Sequence, residues 1–79
     1  MEIELHGRLT EVAGCDRLML TVDAPVRVDE ALERLAAQVP ALAPHLSRVA
    51  CAVGDTLVPR GSVVEGDRPL VLLPPVSGG

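Results

Sequence analysis

The chain contains no phenylalanine, tyrosine or tryptophan, so its core must be aliphatic. Lysine is absent too: all seven basic residues are arginine. No side-chain amine is therefore available to an activated carboxyl group on the same protein. Apart from the α-amine of Met1, self-conjugation through an isopeptide bond is closed. Cysteine is scarce. Cys15 and Cys51 are too few for a disulfide framework. Cys51 sits in an apolar run and reads as a small core residue, whereas Cys15, beside Gly14, reads as more exposed. Neither has a base near it in sequence, and His6 and His45 form no ligand cluster with them. A catalytic thiol and a metal site are both unexpected. No apolar stretch approaches the length of a membrane span, and the first residues lack the basic-then-apolar layout of a signal peptide. The expectation is a cytoplasmic protein with no membrane partner. The net charge of −4, from seven basic and eleven acidic residues, argues against nucleic acid and suits a partner with a basic docking surface.

What is present fits one globular domain. Seventy-nine residues leave no room for two, and 48% apolar with 23% charged is ordinary composition. Residues 1–6 alternate, with Ile3 and Leu5 on one side and Glu2, Glu4 and His6 on the other, which predicts a half-buried strand. Gly7 to Gly14 reads as a connection with a helical turn around Leu9 to Ala13. Arg17 to Val22 alternates again, with Leu18, Leu20 and Val22 inward. Val28, Ala31, Leu32, Leu35 and Val39 recur at helical spacing. Asp29 and Glu30 suit that helix's first turn. Arg27 is a poor cap, so Asp29 is an alternative cap for a slightly later start. Pro40 ends the helix and Pro44 is expected to block its resumption. Arg48 to Val53 predicts a strand with Val49, Cys51 and Val53 on one face. Thr56 to Val58 is a short strand, which Pro59 assigns to a sheet edge. Leu70 to Leu73 is the last strand. The order strand, strand, helix, strand, short strand, strand predicts an α+β fold of the β-grasp, ubiquitin-like type. That is a mixed sheet of four to five strands over one main helix. Residues 1–75 form the domain and 76–79 an extended tail. The string Leu57-Val58-Pro59-Arg60-Gly61-Ser62 matches an engineered thrombin site, but its mid-chain position marks it as native.

The last strand is apolar on both faces. Leu70 and Leu72 are assigned to the core. Val71 and Leu73 then face outward, where a one-helix sheet normally shows polar residues, and predict a partner patch. Ala50 and Ala52 on a neighbouring strand would let that partner approach closely. Pro74 and Pro75 stiffen the exit and hold the tail away from the sheet. Val76 is an apolar anchor. Ser77, Gly78 and Gly79 make the thinnest backbone available, able to thread a narrow tunnel. The four residues after the prolines reach at most ~13–14 Å. A bare carboxylate is a poor electrophile, so Gly79 requires activation. Adenylation with ATP gives a mixed anhydride, and a sulfur nucleophile that displaces AMP leaves a thiocarboxylate. Gly78 keeps access to the terminal carbon open.

These features resemble a known family. The opening strand, Val28-Asp29-Glu30-Ala31-Leu32, Thr56-Leu57-Val58, Gly66-Asp67 and above all Leu73-Pro74-Pro75-Val76-Ser77-Gly78-Gly79 are similar to the small subunit of molybdopterin synthase, a ubiquitin-like sulfur carrier. The chain departs from that pattern in having Leu72 and Leu73, rather than aromatics, before the prolines, and Gly54 where Asn is usual. The resemblance implies that an E1-like enzyme adenylates Gly79, using ATP, and that a sulfur-donor protein supplies the thiocarboxylate sulfur. The tail would insert into the large synthase subunit, which holds the catalytic pocket, and give sulfur to cyclic pyranopterin monophosphate. The assembly would be a heterotetramer, with no cofactor bound to this chain and no enzymatic activity of its own. Carriers serving cysteine synthesis or tRNA thiolation resemble this chain too, the thiazole-pathway carrier shares the fold and the Gly-Gly, and ubiquitin-like protein modifiers share the activation step. The paired prolines favour the molybdopterin branch over the thiazole one.

Overall fold

The computed structural model describes residues 1–75; residues 76–79 lie outside the described part. Five strands form one mixed sheet: β1 (Glu2–Leu5), β2 (Arg17–Met19), β4 (Ala50–Val53), β5 (Thr56–Leu57) and β7 (Leu70–Leu73). Their spatial order is β2-β1-β7-β4-β5. The first and last strands are thus central neighbours, and they run parallel, with Ile3 opposite Leu70 and Leu5 opposite Leu72. All other pairings in this sheet are antiparallel. The main helix, α2 (Val28–Gln38), presents Val28, Ala31, Leu32 and Leu35 to the sheet. Ile3, Leu5, Leu70, Leu72 and Cys51 meet it from the other side, so the aliphatic core expected from the composition is the one observed. This is the β-grasp architecture.

Several local features differ from the sequence reading, each for a physical reason. Residues 8–13, expected to give a helical turn within a connection, form a short helix, α1 (Arg8–Ala13), which buries Leu9. The second strand stops at Met19 rather than Val22. The Gln38 side chain accepts from Thr21 N–H at 3.0 Å and donates to Met19 C=O at 2.8 Å, replacing a ladder neighbour with an amide. The main helix starts at Val28, so Asp29 does not cap a later start, and Arg27 at the cap makes no side-chain capping bond. Backbone carbonyls do that work: Val28 N–H donates to Ser62 C=O and Asp29 N–H to Arg60 C=O, both at 2.9 Å. Two orphan helix donors are thereby satisfied from a distant loop. That loop lies before β6 (Val63–Val64), which pairs with β3 (Val26–Arg27) in a two-stranded sheet that the sequence did not predict.

After the main helix, Pro40–Leu42 forms one 3₁₀ turn and α3 (Ala43–Leu46) follows at once. Pro44 therefore does not block resumption. It sits in the first turn of α3, where a missing N–H is no loss. Arg60 ties this region down: its Nη2 donates to Leu46 C=O at 2.7 Å and to Val49 C=O at 3.0 Å. The thrombin-like string is thus part of the fold. β5 is an edge strand, as Pro59 implied.

Candidate functional site

Strand β7 decides where the tail leaves. It is held on both sides, by β1 and by β4, so its exit direction is fixed by two ladders. Alternation then sorts its residues. Leu70 and Leu72 are fully buried in the core. Val71 and Leu73 lie on the opposite face and are half-buried. Pro74 is half-buried and Pro75 exposed. At the root of the tail, Gly7 approaches Pro74 so closely that a Cβ on Gly7 would sit 3.0 Å from the proline Cγ. Gly7 also has φ +57° and ψ −134°, a backbone that side-chain-bearing residues avoid. A glycine at the end of the first strand thus makes room for the proline that starts the tail.

Register places the outward residues in a row across the sheet. Leu57 lies opposite Ala52, Ala52 opposite Val71, Val71 opposite Glu4, and Glu4 opposite Arg17. Ala50 lies opposite Leu73. One half of this face is apolar and the other charged. Arg17 contacts Glu2 at 3.4 Å and Glu4 at 3.7 Å, and His6 Nε2 lies 2.7 Å from Glu4 Oε2. The alanines are not equivalent, as the alternation had suggested. Ala50 is exposed, but Ala52 is only 5% exposed, because the flanking Val71 and Leu57 stand taller than its methyl group. Ala52 therefore lowers the floor of the patch rather than offering contact surface. Leu57 was missed as a patch residue. It is 67% exposed and extends the apolar half to the sheet edge. The order of residues carried no signal for it: Leu57 neighbours Ala52 only through the pairing of β4 with β5.

Val76, Ser77, Gly78 and Gly79, the residues expected to carry the chemistry, lie outside the described residues. Among the described residues no cluster of three or more metal-ligating side chains forms. Cys51 is buried beneath the sheet, and burial pushes its thiol pKa up, with Arg60 pulling weakly the other way. Such a thiol is a core residue, not a nucleophile. Cys15 is partly exposed and free. No helix among the described residues is long and apolar enough to cross a membrane.

The ThiS family model matches residues 3–79, which includes the whole tail. The crystal structure of SAMP1 from Haloferax volcanii superposes with a TM-score of 0.82 at 30% identity, covering 100% of this chain and 98% of that one. A second crystal structure, of small archaeal modifier protein 1 from H. volcanii, gives 0.80 at 27% identity, covering 96% and 97%. A structure from Pyrococcus furiosus described as a molybdopterin converting factor, subunit 1, gives 0.79 at 17% identity, covering 95% of each chain, and shows the shared fold. No curated protein sequence matches. The family match across nearly the full length, together with the β-grasp sheet and its central exit strand, shows that this chain belongs to the ThiS family of ubiquitin-like sulfur carriers.

Proposed function

We propose that the chain is a sulfur carrier whose terminal carboxyl group, on Gly79, is adenylated, converted to a thiocarboxylate and used to donate sulfur to cyclic pyranopterin monophosphate within molybdopterin synthase. The observation that carries this reading is the family match through residue 79, joined to an exit strand clamped between two neighbours. β7 clamped on both sides and the stiff Pro74-Pro75 segment after it fix the point from which the last residues depart. The chemistry follows in two balanced steps. A Gly79 carboxylate oxygen attacks the α-phosphorus of ATP and pyrophosphate leaves. A sulfur nucleophile then attacks the acyl carbon and AMP leaves, so the C–O bond of the anhydride is replaced by C–S. Both steps occur on an E1-like enzyme with a sulfur-donor protein; the finished thiocarboxylate then gives up its sulfur in the large synthase subunit. The outward patch of Val71, Leu73, Ala50 and Leu57 is the surface those partners would cover. The Pro74-Pro75 pair supports the molybdopterin branch over the thiazole one.

A second reading, that of a protein modifier, is favoured by the 30% identity to SAMP1. It shares the adenylation step and differs in the acceptor, a target lysine instead of a sulfur-accepting substrate. Deletion of Gly79 tests both. The truncated protein should keep the wild-type melting temperature and lose sulfur donation to a reconstituted large subunit. A folded truncation with full donor activity would refute the carrier mechanism. Lysine-linked adducts in lysate that vanish with the same deletion, with no sulfur donation by the intact protein, would establish the modifier reading instead.

A further inference from the structure

A groove of about 540 Å³ runs beside the root of the tail. Pro74 and Pro75 form one wall. Arg8, at the start of α1, and His45 and Arg48, around the turn between α3 and β4, supply its polar groups, over an apolar floor that includes Leu9. Two arginines and a histidine thus converge on the exit of a chain whose net charge is −4. Among the described residues no carboxylate lines the groove. Arg17 and Arg27 are ion-paired on the protein, whereas among the described residues Arg8 and Arg48 pair with nothing. Both are exposed. Positive charge kept free of internal partners, in a concave site, is available to an external anion.

We propose that this groove docks an acidic segment of the activating enzyme, a stretch of chain bearing carboxylates that lies alongside the tail as the tail enters the active site. The proposal rests on the carrier reading above. Continuity selects a protein occupant: Pro74 and Pro75 line the groove, so any enzyme that swallows the residues after them must pass over it. Charge selects carboxylates, since arginine forks match them in bidentate geometry. The groove is a local exception to the acidic surface, which in overall charge suits a basic partner. Two contacts of opposite sign on one small protein fix the orientation in which it docks.

The test is the ATP-dependent adenylation of the full chain by an E1-like activating enzyme, read as pyrophosphate release. Wild type is compared with the double variant R8E/R48E and with R34E, a charge reversal on the exposed face of the main helix. The double variant should raise KM roughly tenfold or more at low salt, the scale expected from losing a steering charge pair. Its kcat should stay within about twofold of wild type, since uniform binding is lost and not chemistry. R34E should change neither. The gap between wild type and the double variant should shrink as salt is added. R8Q/R48Q, which removes charge without reversing it, should fall between. Melting temperatures check that each variant folds. Wild-type activity with an unchanged KM in R8E/R48E would overturn the docking site and leave the carrier reading standing. No activation of the wild type would overturn both. Binding of AMP or inorganic phosphate to the carrier alone, abolished in R8E/R48E, would overturn the proposal in favour of a small-anion site.

Discussion

Gly7→Ala should loosen the protein at the point where the tail begins, and Gly14→Ala is its built-in control. Both glycines have positive φ, +57° and +78°. Gly14 lies in the ordinary left-handed region, with ψ 12°, and a Cβ there meets nothing within 4 Å. Its substitution should therefore cost only the backbone penalty, about 1–2 kcal/mol. Gly7, with ψ −134°, lies where only glycine is comfortable, which costs about 1–3 kcal/mol. Its Cβ would also press on Pro74 Cγ at 3.0 Å. A proline ring cannot swing aside as a long side chain would, so the turn or the tail root must shift, at a further cost of about 1 kcal/mol or more. Gly7→Ala should thus be less stable than Gly14→Ala by at least about 1 kcal/mol. In a domain of this size, that is roughly 4–8 °C in melting temperature. Urea titration and thermal melts of the two variants read it directly. Where the Gly7 variant stays folded, its KM for the activating enzyme should also rise, because Pro74 has moved. Equal stability of the two variants would refute the close-approach reasoning at the tail root.

Leu73→Glu places a carboxylate in the outward apolar patch, half-exposed and away from the core, and should weaken binding to the large subunit while leaving the melting temperature nearly unchanged. Unaltered affinity would show that this face is not the interface. Burial raises the Cys51 thiol pKa, so Cys15 should react with a thiol reagent in the native protein well before Cys51. As pH rises past the ordinary thiol range, the unfolded chain sheds the Cys51 proton first and stability falls; Cys51→Ala should remove that part of the slope. Equal labelling rates would contradict the buried placement. Thrombin should cut at Arg60 slowly, because both the side chain and the carbonyl of Arg60 are hydrogen-bonded within the fold. Cleavage should accelerate in urea below the unfolding midpoint as the loop opens. Fast cleavage in native buffer would contradict the loop assignment.

Most elements legible in the sequence are long enough for their periodicity to show; β5, two residues long and followed by Pro59, is the exception. Ile3 and Leu5 alternate with Glu2 and Glu4. Val28 to Val39 repeats at helical spacing. Leu70 to Leu73 is an unbroken apolar run, with Leu70 and Leu72 in the core and Val71 and Leu73 in the outward patch. β3 and β6 are two residues each, too short for any period, and they form because the chain on either side is already placed. The helix cap was illegible for a related reason. Its acceptors, the carbonyls of Arg60 and Ser62, are backbone groups of a distant loop, and no residue type near Val28 announces them. Pro44 was misread because proline is forbidden inside a helix and welcome in its first turn, and local sequence did not separate the two positions. The outward patch was inferred from β7 alone. Leu57 joined it only when strand register was known, and Ala52 left its surface for the same reason. The convergence of Arg8, His45 and Arg48 is a property of the tertiary fold and has no trace in the order of residues.

The proposed carrier role places a sulfur on Gly79. Its most direct test is the intact mass of the protein after incubation with an E1-like activating enzyme, ATP and a sulfur source. A shift equal to one oxygen replaced by one sulfur, mapped by fragmentation to Gly79, is the predicted result. An unchanged mass with an enzyme that activates a related carrier in the same reaction would contradict it.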